Sequence, residues 1–160
     1  MESGREGIEI RRAVRTDAPG LLAIQRACFL PDLEKYGDEA TNPANESLER
    51  LERKIEACLY FAVLEEGELI GGIDVRRRDE RRYRLNRIFI DPARQDLGIG
   101  RFCVRRIEEL FPEAEEWDLD TPHLSFRNHH LYESLGYVKV GESRQEGSLV
   151  LYEYRKAMAR

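Results

Sequence analysis

A chain of 160 residues with 41% hydrophobic and 36% charged content has the size and balance of one globular domain with a densely solvated surface. Its formal net charge of -5 argues against a broad grip on nucleic acid, which needs clustered Lys and Arg, and suits a cationic small substrate better. No apolar run approaches the roughly 20 residues of a membrane span, and MESGREGIEI lacks the apolar segment of a signal peptide, so a cytoplasmic protein without membrane contact is expected.

IEIRRAV (Ile8 to Val14) alternates as a strand does. Thr16 or Asp17 can cap the helix that follows, with Pro19 tolerated in its first turn and Leu21, Ile24 and Cys28 on one face. FLPDLEKYGDEATNPANES, rich in Pro, Gly, Asn and acid, predicts a long irregular loop of the kind that serves function in compact domains. Asn45 or Ser47 can cap the next helix, whose apolar stripe is Leu48, Leu51, Ile55 and Cys58, with Glu46 and Arg50 paired on its wet side. YFAVLEEGELIGGIDVRR predicts a hairpin turning at Gly67, and Gly71 and Gly72 in its second strand predict a bulge or a close backbone approach. RRRDERR (Arg76 to Arg82) reads as a solvated turn before a third strand, YRLNRIFIDP.

Beyond RQDLGIGR (Arg94 to Arg101), Ile99, Cys103, Ile107 and Leu110 form one face of an amphipathic helix. EWDLDT alternates as a strand, Ser125 can start a short helix ending at Gly136, and YVKVGE and SLVLYEYRK are closing strands. The order β-α-α-β-β-β-α-β-α-β-β predicts an α+β fold in one domain over residues 1–160, with a mixed, mostly antiparallel sheet of about seven strands flanked by about four helices. Cys28, Cys58 and Cys103 are isolated, which predicts core packing and no metal site, and His129 and His130 read as helix surface. Exposed edge strands near the C-terminus are where a homodimer would form.

The chemistry concentrates in the glycine turn. A strand, Gly98 and Gly100, and a helix N-terminus with unpaired N–H groups make an anion seat. A P-loop would need Lys and a hydroxyl residue after its second glycine, and a Rossmann fingerprint would need Gly or Ala at Cys103. Both are excluded, although an ordinary tight turn before a helix accounts for the hexapeptide equally well.

With Gln95 to Gly100 (QDLGIG) behind RIFIDP, and LYESLGY (Leu131 to Tyr137) about one strand later, the chain resembles the GNAT superfamily of acetyl-CoA-dependent N-acetyltransferases over its whole length. The resemblance implies acetyl-CoA as acetyl donor. It puts the backbone of Ile88, Phe89 and Ile90 against the acetyl and pantetheine groups. Gln95, Asp96, Leu97, Gly98, Ile99, Gly100 and Arg101 would surround the pyrophosphate, and Ser125 and Asn128 would face the cofactor. Tyr132 would be the general acid toward the leaving thiolate. Asp96 and Leu97 depart from the family pattern by leaving this loop with less positive charge than usual, so Arg94 or Arg101 would offset Asp96.

The acceptor implied is a small-molecule or peptide amine of unspecified identity, with Tyr36, Asp38, Asn86 and Arg87 on its side of the site. Many relatives carry a glutamate base on the motif strand, but here that strand reads Tyr83-Arg84-Leu85-Asn86-Arg87. A water relayed to Asp120, His123, Asp38 or Glu39 would have to serve. A non-catalytic acyl-CoA-binding or regulatory module is the alternative of another class.

Overall fold

The computed structural model describes residues 7–95 and 97–159. Among the described residues, seven strands form one sheet: β1 (Ile8–Arg12), β2 (Leu59–Glu65), β3 (Glu68–Arg77), β4 (Arg82–Ile90), β5 (Glu116–Pro122), β6 (Val138–Arg144) and β7 (Val150–Ala157). Their order across it is β1-β2-β3-β4-β5-β7-β6. Every neighbouring pair is antiparallel except β4 with β5, which is parallel. Among the described residues the helices are α1 (Ala18–Tyr36), α2 (Leu48–Ala57), α3 (Ile99–Leu110) and α4 (Phe126–Ser134). The α+β order read from the sequence is the order of the chain. None of these helices is long and apolar enough to cross a membrane.

Side-chain alternation divides the sheet between two cores. Tyr60, Ala62, Leu64 and Phe89 pack with Leu21 and Leu22 of α1 and Leu51 and Ile55 of α2. Val63, Ile73, Val75, Leu85, Trp117 and Leu119 face the other way, against Ile99, Cys103 and Ile107 of α3 and Tyr132 of α4. In β5 the buried positions are Trp117, Leu119 and Thr121, so Asp118 and Asp120 emerge on the opposite face. Gly71 stands where a Cβ would collide with the Phe89 carbonyl oxygen, which is the close backbone approach its position predicts.

The expected loop from Phe29 onward is a correction. Helix α1 runs for 19 residues through Pro31 to Tyr36 and is closed by Gly37, whose φ is 68° and whose N–H bonds Leu33 O at 2.9 Å. Pro31 forfeits one helical hydrogen bond, but burial of Tyr36 at the far end outweighs that local preference. The segment that remains contains a short turn, Pro43–Asn45, started by Asn42, whose side chain accepts from Ala44 N at 2.8 Å.

Two smaller expectations change, and one choice between two caps is resolved. Asp17 occupies the N-cap position of α1 without capping, because its carboxylate accepts from Arg11 at 2.8 and 3.0 Å and from Val14 N. Ser47 is the residue that caps α2, accepting from Arg50 N at 3.1 Å. Glu46 forms the expected pair with Arg50, at 3.7 Å, but not on a wet face: it is buried, and accepts from Gln25 Nε2 at 3.0 Å, from Lys54, and from Arg87 at 3.4 Å. Burying a carboxylate requires such partners, and a helical wheel does not reveal them.

Candidate functional site

The parallel strands β4 and β5 are paired for only three residues, Arg82–Arg84 with Glu116–Asp118, and then part. The cause is a bulge. Arg87 lies opposite Asp74 and Leu85 opposite Val75, so Asn86 is an extra residue in β4 with no partner on β3. A bulge bends its strand and increases its twist. Beyond it, β4 presents an unpaired edge to a cleft of about 280 Å³, walled by Arg84 to Ile88 on one side and Asp120 to Pro122 on the other.

Along that edge the backbone alternates. Asp91 N–H bonds Ile70 O on β3 at 2.7 Å, so Ile88 and Ile90 turn toward the gap while Phe89 turns toward β3. Of the three strand residues carried over from the resemblance, Ile88 and Ile90 therefore turn backbone groups to the gap, and Phe89 is spent on the sheet. The Ile90 carbonyl already accepts from the Cys28 thiol at 3.0 Å and from Gln95 Nε2 at 3.2 Å, leaving its N–H as the available group.

Tyr132 enters the cleft from α4, beside Asn128. It is 5% exposed, and its hydroxyl has no hydrogen-bond partner among the described residues. Burial alone pushes the phenol well above its ordinary range, so the group is a protonated donor at neutral pH. Its ring is fixed edge-on by Tyr137, at 5.8 Å between centroids. Asn128 donates to Thr121 Oγ1 at 3.2 Å, tying α4 to β5, and Ser125 precedes α4 without a side-chain cap bond.

Helix α3 follows the same, C-terminal end of β4. Gly98 is its N-cap at φ 78°, a conformation costly for any residue with a Cβ. Gly100 has no such excuse: a Cβ there would meet only Leu131 Cδ2, at 3.9 Å. The first-turn N–H groups of Ile99, Gly100 and Arg101 find no acceptor among the described residues. Ile99 is buried in the core and offers its backbone alone, whereas Leu97 is exposed. Gln95 is held by Arg127, which donates to its Oε1 at 2.6 Å. Arg101 donates to Ser134 Oγ at 2.5 Å. Arg94, expected to offset Asp96, is instead engaged by Glu65 and Glu68, so the cations beside the seat are Arg101 and Arg127. Asp96 lies outside the described residues.

The acceptor candidates Tyr36, Asp38, Asn86 and Arg87 all line the cleft. Tyr36 and Asp38 are buried, and Asp38 accepts from Asn42 Nδ2 at 3.1 and 3.3 Å. Asn86 accepts from Arg84 Nε at 3.1 Å and donates to Asp74 at 3.0 Å. Among the base candidates, Asp120 lines the cleft but accepts from Arg84 at 2.8 Å. His123 turns Nδ1 to the Val150 backbone, and Glu39 is exposed; neither lines the cleft.

Several residues at the site carry no local signal in the sequence. Asp32 lines the cleft from α1, within the segment expected to be loop, and Gln145 and Leu149 reach it from the β6–β7 connection. That connection is strapped to the end of α1 by Ser148 N–H on Tyr36 O at 2.9 Å and by Glu146 on Ala40 N–H at 2.8 Å. Asp74, fully buried, takes both the Asn86 amide and a two-point contact from Arg76 at 2.9 and 2.8 Å.

Among solved structures, the chain superposes on PaiA N-acetyltransferase from Thermoplasma acidophilum in complex with coenzyme A with a TM-score of 0.78 and 19% identity, covering 94% of this chain and 99% of that one. Its sequence is 25% identical over 112 residues to the uncharacterized protein YrkN of Bacillus subtilis, covering 68% of this chain and 60% of YrkN. It is 31% identical over 90 residues to N-acetylaspartate synthetase of Danio rerio, covering 54% of this chain and 32% of that protein. The match thus spans under two thirds of the length of either curated relative. Residues 21–137, which contain the bulged strand, the glycine turn and Tyr132, match the acetyltransferase (GNAT) family, and the chain belongs to that family.

Proposed function

We propose that the chain, acting as one domain over residues 1–160, transfers the acetyl group of acetyl-CoA to a primary amine by direct attack. The observation that carries this reading is Tyr132: its side chain is 5% exposed and lines the cleft that opens where β4 leaves β5, and its hydroxyl bonds to no described residue. A cleft-lining phenol without a protein partner is free to donate to a ligand group.

The donor site fits acetyl-CoA. Gly100 leaves open space rather than a contact, and the α3 N-terminus directs free N–H groups and the positive end of its dipole at that space. Gln95, Asp96, Leu97, Gly98, Ile99, Gly100 and Arg101 would hold the pyrophosphate, and Ile88 and Ile90 the acyl and pantetheine groups, with Ser125 and Asn128 alongside. Acetyl-CoA supplies an activated thioester when bound. The edge N–H groups of β4 would stabilise negative charge on the carbonyl oxygen, and Tyr132 would give its proton to the sulfur. Tyr36, Asp38, Asn86 and Arg87 would form the acceptor wall.

One observation favours the alternative of a non-catalytic acyl-CoA-binding module: β4 offers Arg84, Asn86 and Arg87 where a base would stand, and Asp120 is already held by Arg84. Calorimetry with acetyl-CoA, followed by thiol release on an amine panel, separates the two. Binding with turnover supports the transferase, and binding without turnover on any amine supports the module.

A further inference from the structure

The α1 wall of the cleft is acidic. Helix α1 brings its C-terminal end, the negative pole of its dipole, to the cleft. Asp32 lies about one turn before that end and Asp38 just past the Gly37 cap, and both line the cleft. Carboxylates at a helix C-terminus are unfavourable, and neither of these has an ion-pair partner among the described residues. Asp38 is bonded by the neutral Asn42 amide. Lys35, the cation of the last turn, lies over the Tyr36 ring at 5.5 Å. Burial accordingly lifts the Asp32 carboxyl above its usual range, with Asp38 adding to the effect and Lys35 opposing it.

The cations lining the cleft lie on its β4 wall, where each has an acidic partner, Arg87 sharing Glu46 with Lys54 and Arg50. Arg84 is bound to Asp118 at 2.9 Å and to Asp120 at 2.8 Å, and Arg87 is bound to Glu46 at 3.4 Å. On the α1 wall the negative charge of Asp32 and Asp38 has no such partner among the described residues. Tyr132, 5% exposed, lines the same cleft with a hydroxyl that bonds to no described residue, and independently marks it as a ligand site. An acceptor bearing a carboxylate would meet repulsion there, whereas one bearing a second cation would relieve it.

We infer that the acceptor is a linear diamine or polyamine, one nitrogen attacking the thioester beside Tyr132 while a second, still an ammonium, lies against Asp32 and Asp38. This rests on the acetyl-transfer reading. The N–C bond forms as the C–S bond breaks, and sulfur leaves with the electron pair and takes the Tyr132 proton. The proton lost by the attacking nitrogen returns to Tyr132 through water.

The test compares three acceptors of equal chain length by thiol release from acetyl-CoA: an alkyl diamine, the alkyl monoamine and the ω-amino acid. The expected kcat/KM is at least about tenfold higher for the diamine than for the monoamine, and lowest for the amino acid. Asp32→Asn and, separately, Asp38→Asn should shrink the diamine-to-monoamine ratio several-fold, and Asp32 is exposed enough that its variant tests the idea even if the other fails to fold. Equal or better use of the monoamine or the amino acid overturns the inference, as does a ratio unmoved by Asp32→Asn. If no acceptor is turned over while calorimetry still detects acetyl-CoA binding, the acceptor inference falls and the cofactor seat stands. Absence of acetyl-CoA binding removes both.

Discussion

The Asn86 side-chain amide donates to the buried Asp74 carboxylate at 3.0 Å, and this contact pins the bulge at which β4 leaves β5. Asp74 is fully buried and also holds Arg76, so Asp74→Ala would leave both donors without their acceptor. The expected cost is about 2–3 kcal/mol, read from urea unfolding. Asn86→Ala, which keeps the Asp74–Arg76 pair, should cost less stability and still lower kcat/KM by loosening the cleft wall. A variant with wild-type kcat/KM would remove the bulge from any role in the site.

Tyr132→Phe should lower kcat by about 10²-fold or more while leaving the acetyl-CoA dissociation constant within about twofold, because general acids contribute rate rather than ground-state binding. Burial raises the phenol, and an acid must be protonated to act. Activity carried by Tyr132 is therefore retained below its raised folded pKa and lost only as pH rises through it, so the alkaline limb should lie above pH about 10. A pH–rate profile falling near neutrality would assign that limb to another group.

Gly100→Ala separates stability from binding. The added Cβ meets only Leu131 at 3.9 Å, and alanine is the better helix former, so the apo protein should gain about 0.4–1 kcal/mol. The methyl group would crowd an anion at the α3 N-terminus, so affinity for acetyl-CoA should fall by about tenfold. Thermal unfolding and calorimetry on the same sample give both numbers, and unchanged affinity would move the pyrophosphate elsewhere.

Asp32→Asn should raise the melting temperature of the ligand-free protein at pH 7 by about 1–3 °C, since it removes a charge from the wrong end of a helix dipole. The sign follows from the raised carboxyl pKa. Between the unfolded and the raised folded value the native state holds more protons, so ionisation of Asp32 costs stability as pH rises through that window. The advantage of the variant should shrink as pH falls through the same range, in melting scans across an acid-to-neutral series.

Much of the site was legible because its signals are local. Gly98 and Gly100 after an apolar strand specify a turn and an open helix N-terminus, whatever surrounds them. Tyr132 could be singled out because LYESLGY and QDLGIG together form a spaced pattern. Asp32 was hidden because Pro31 reads as a helix breaker, and only the buried Tyr36 at the far end shows that the helix continues. The burial of Glu46 has no local signal for a related reason, since Gln25, Lys54 and Arg87 reach it from three other parts of the chain.

By itself, the sequence determined the element order, the alternation that gives each strand a buried face, and the residues of the glycine turn. These depend on spacing over a few residues, which backbone geometry converts directly into structure. Only the tertiary structure decided where β4 and β5 part, that Phe89 faces the sheet while Ile88 and Ile90 face the gap, and which charges remain unpaired in the cleft. Those outcomes depend on a bulge register and on ion pairs such as Arg84 with Asp120, set by residues far apart in sequence whose meeting no local pattern encodes.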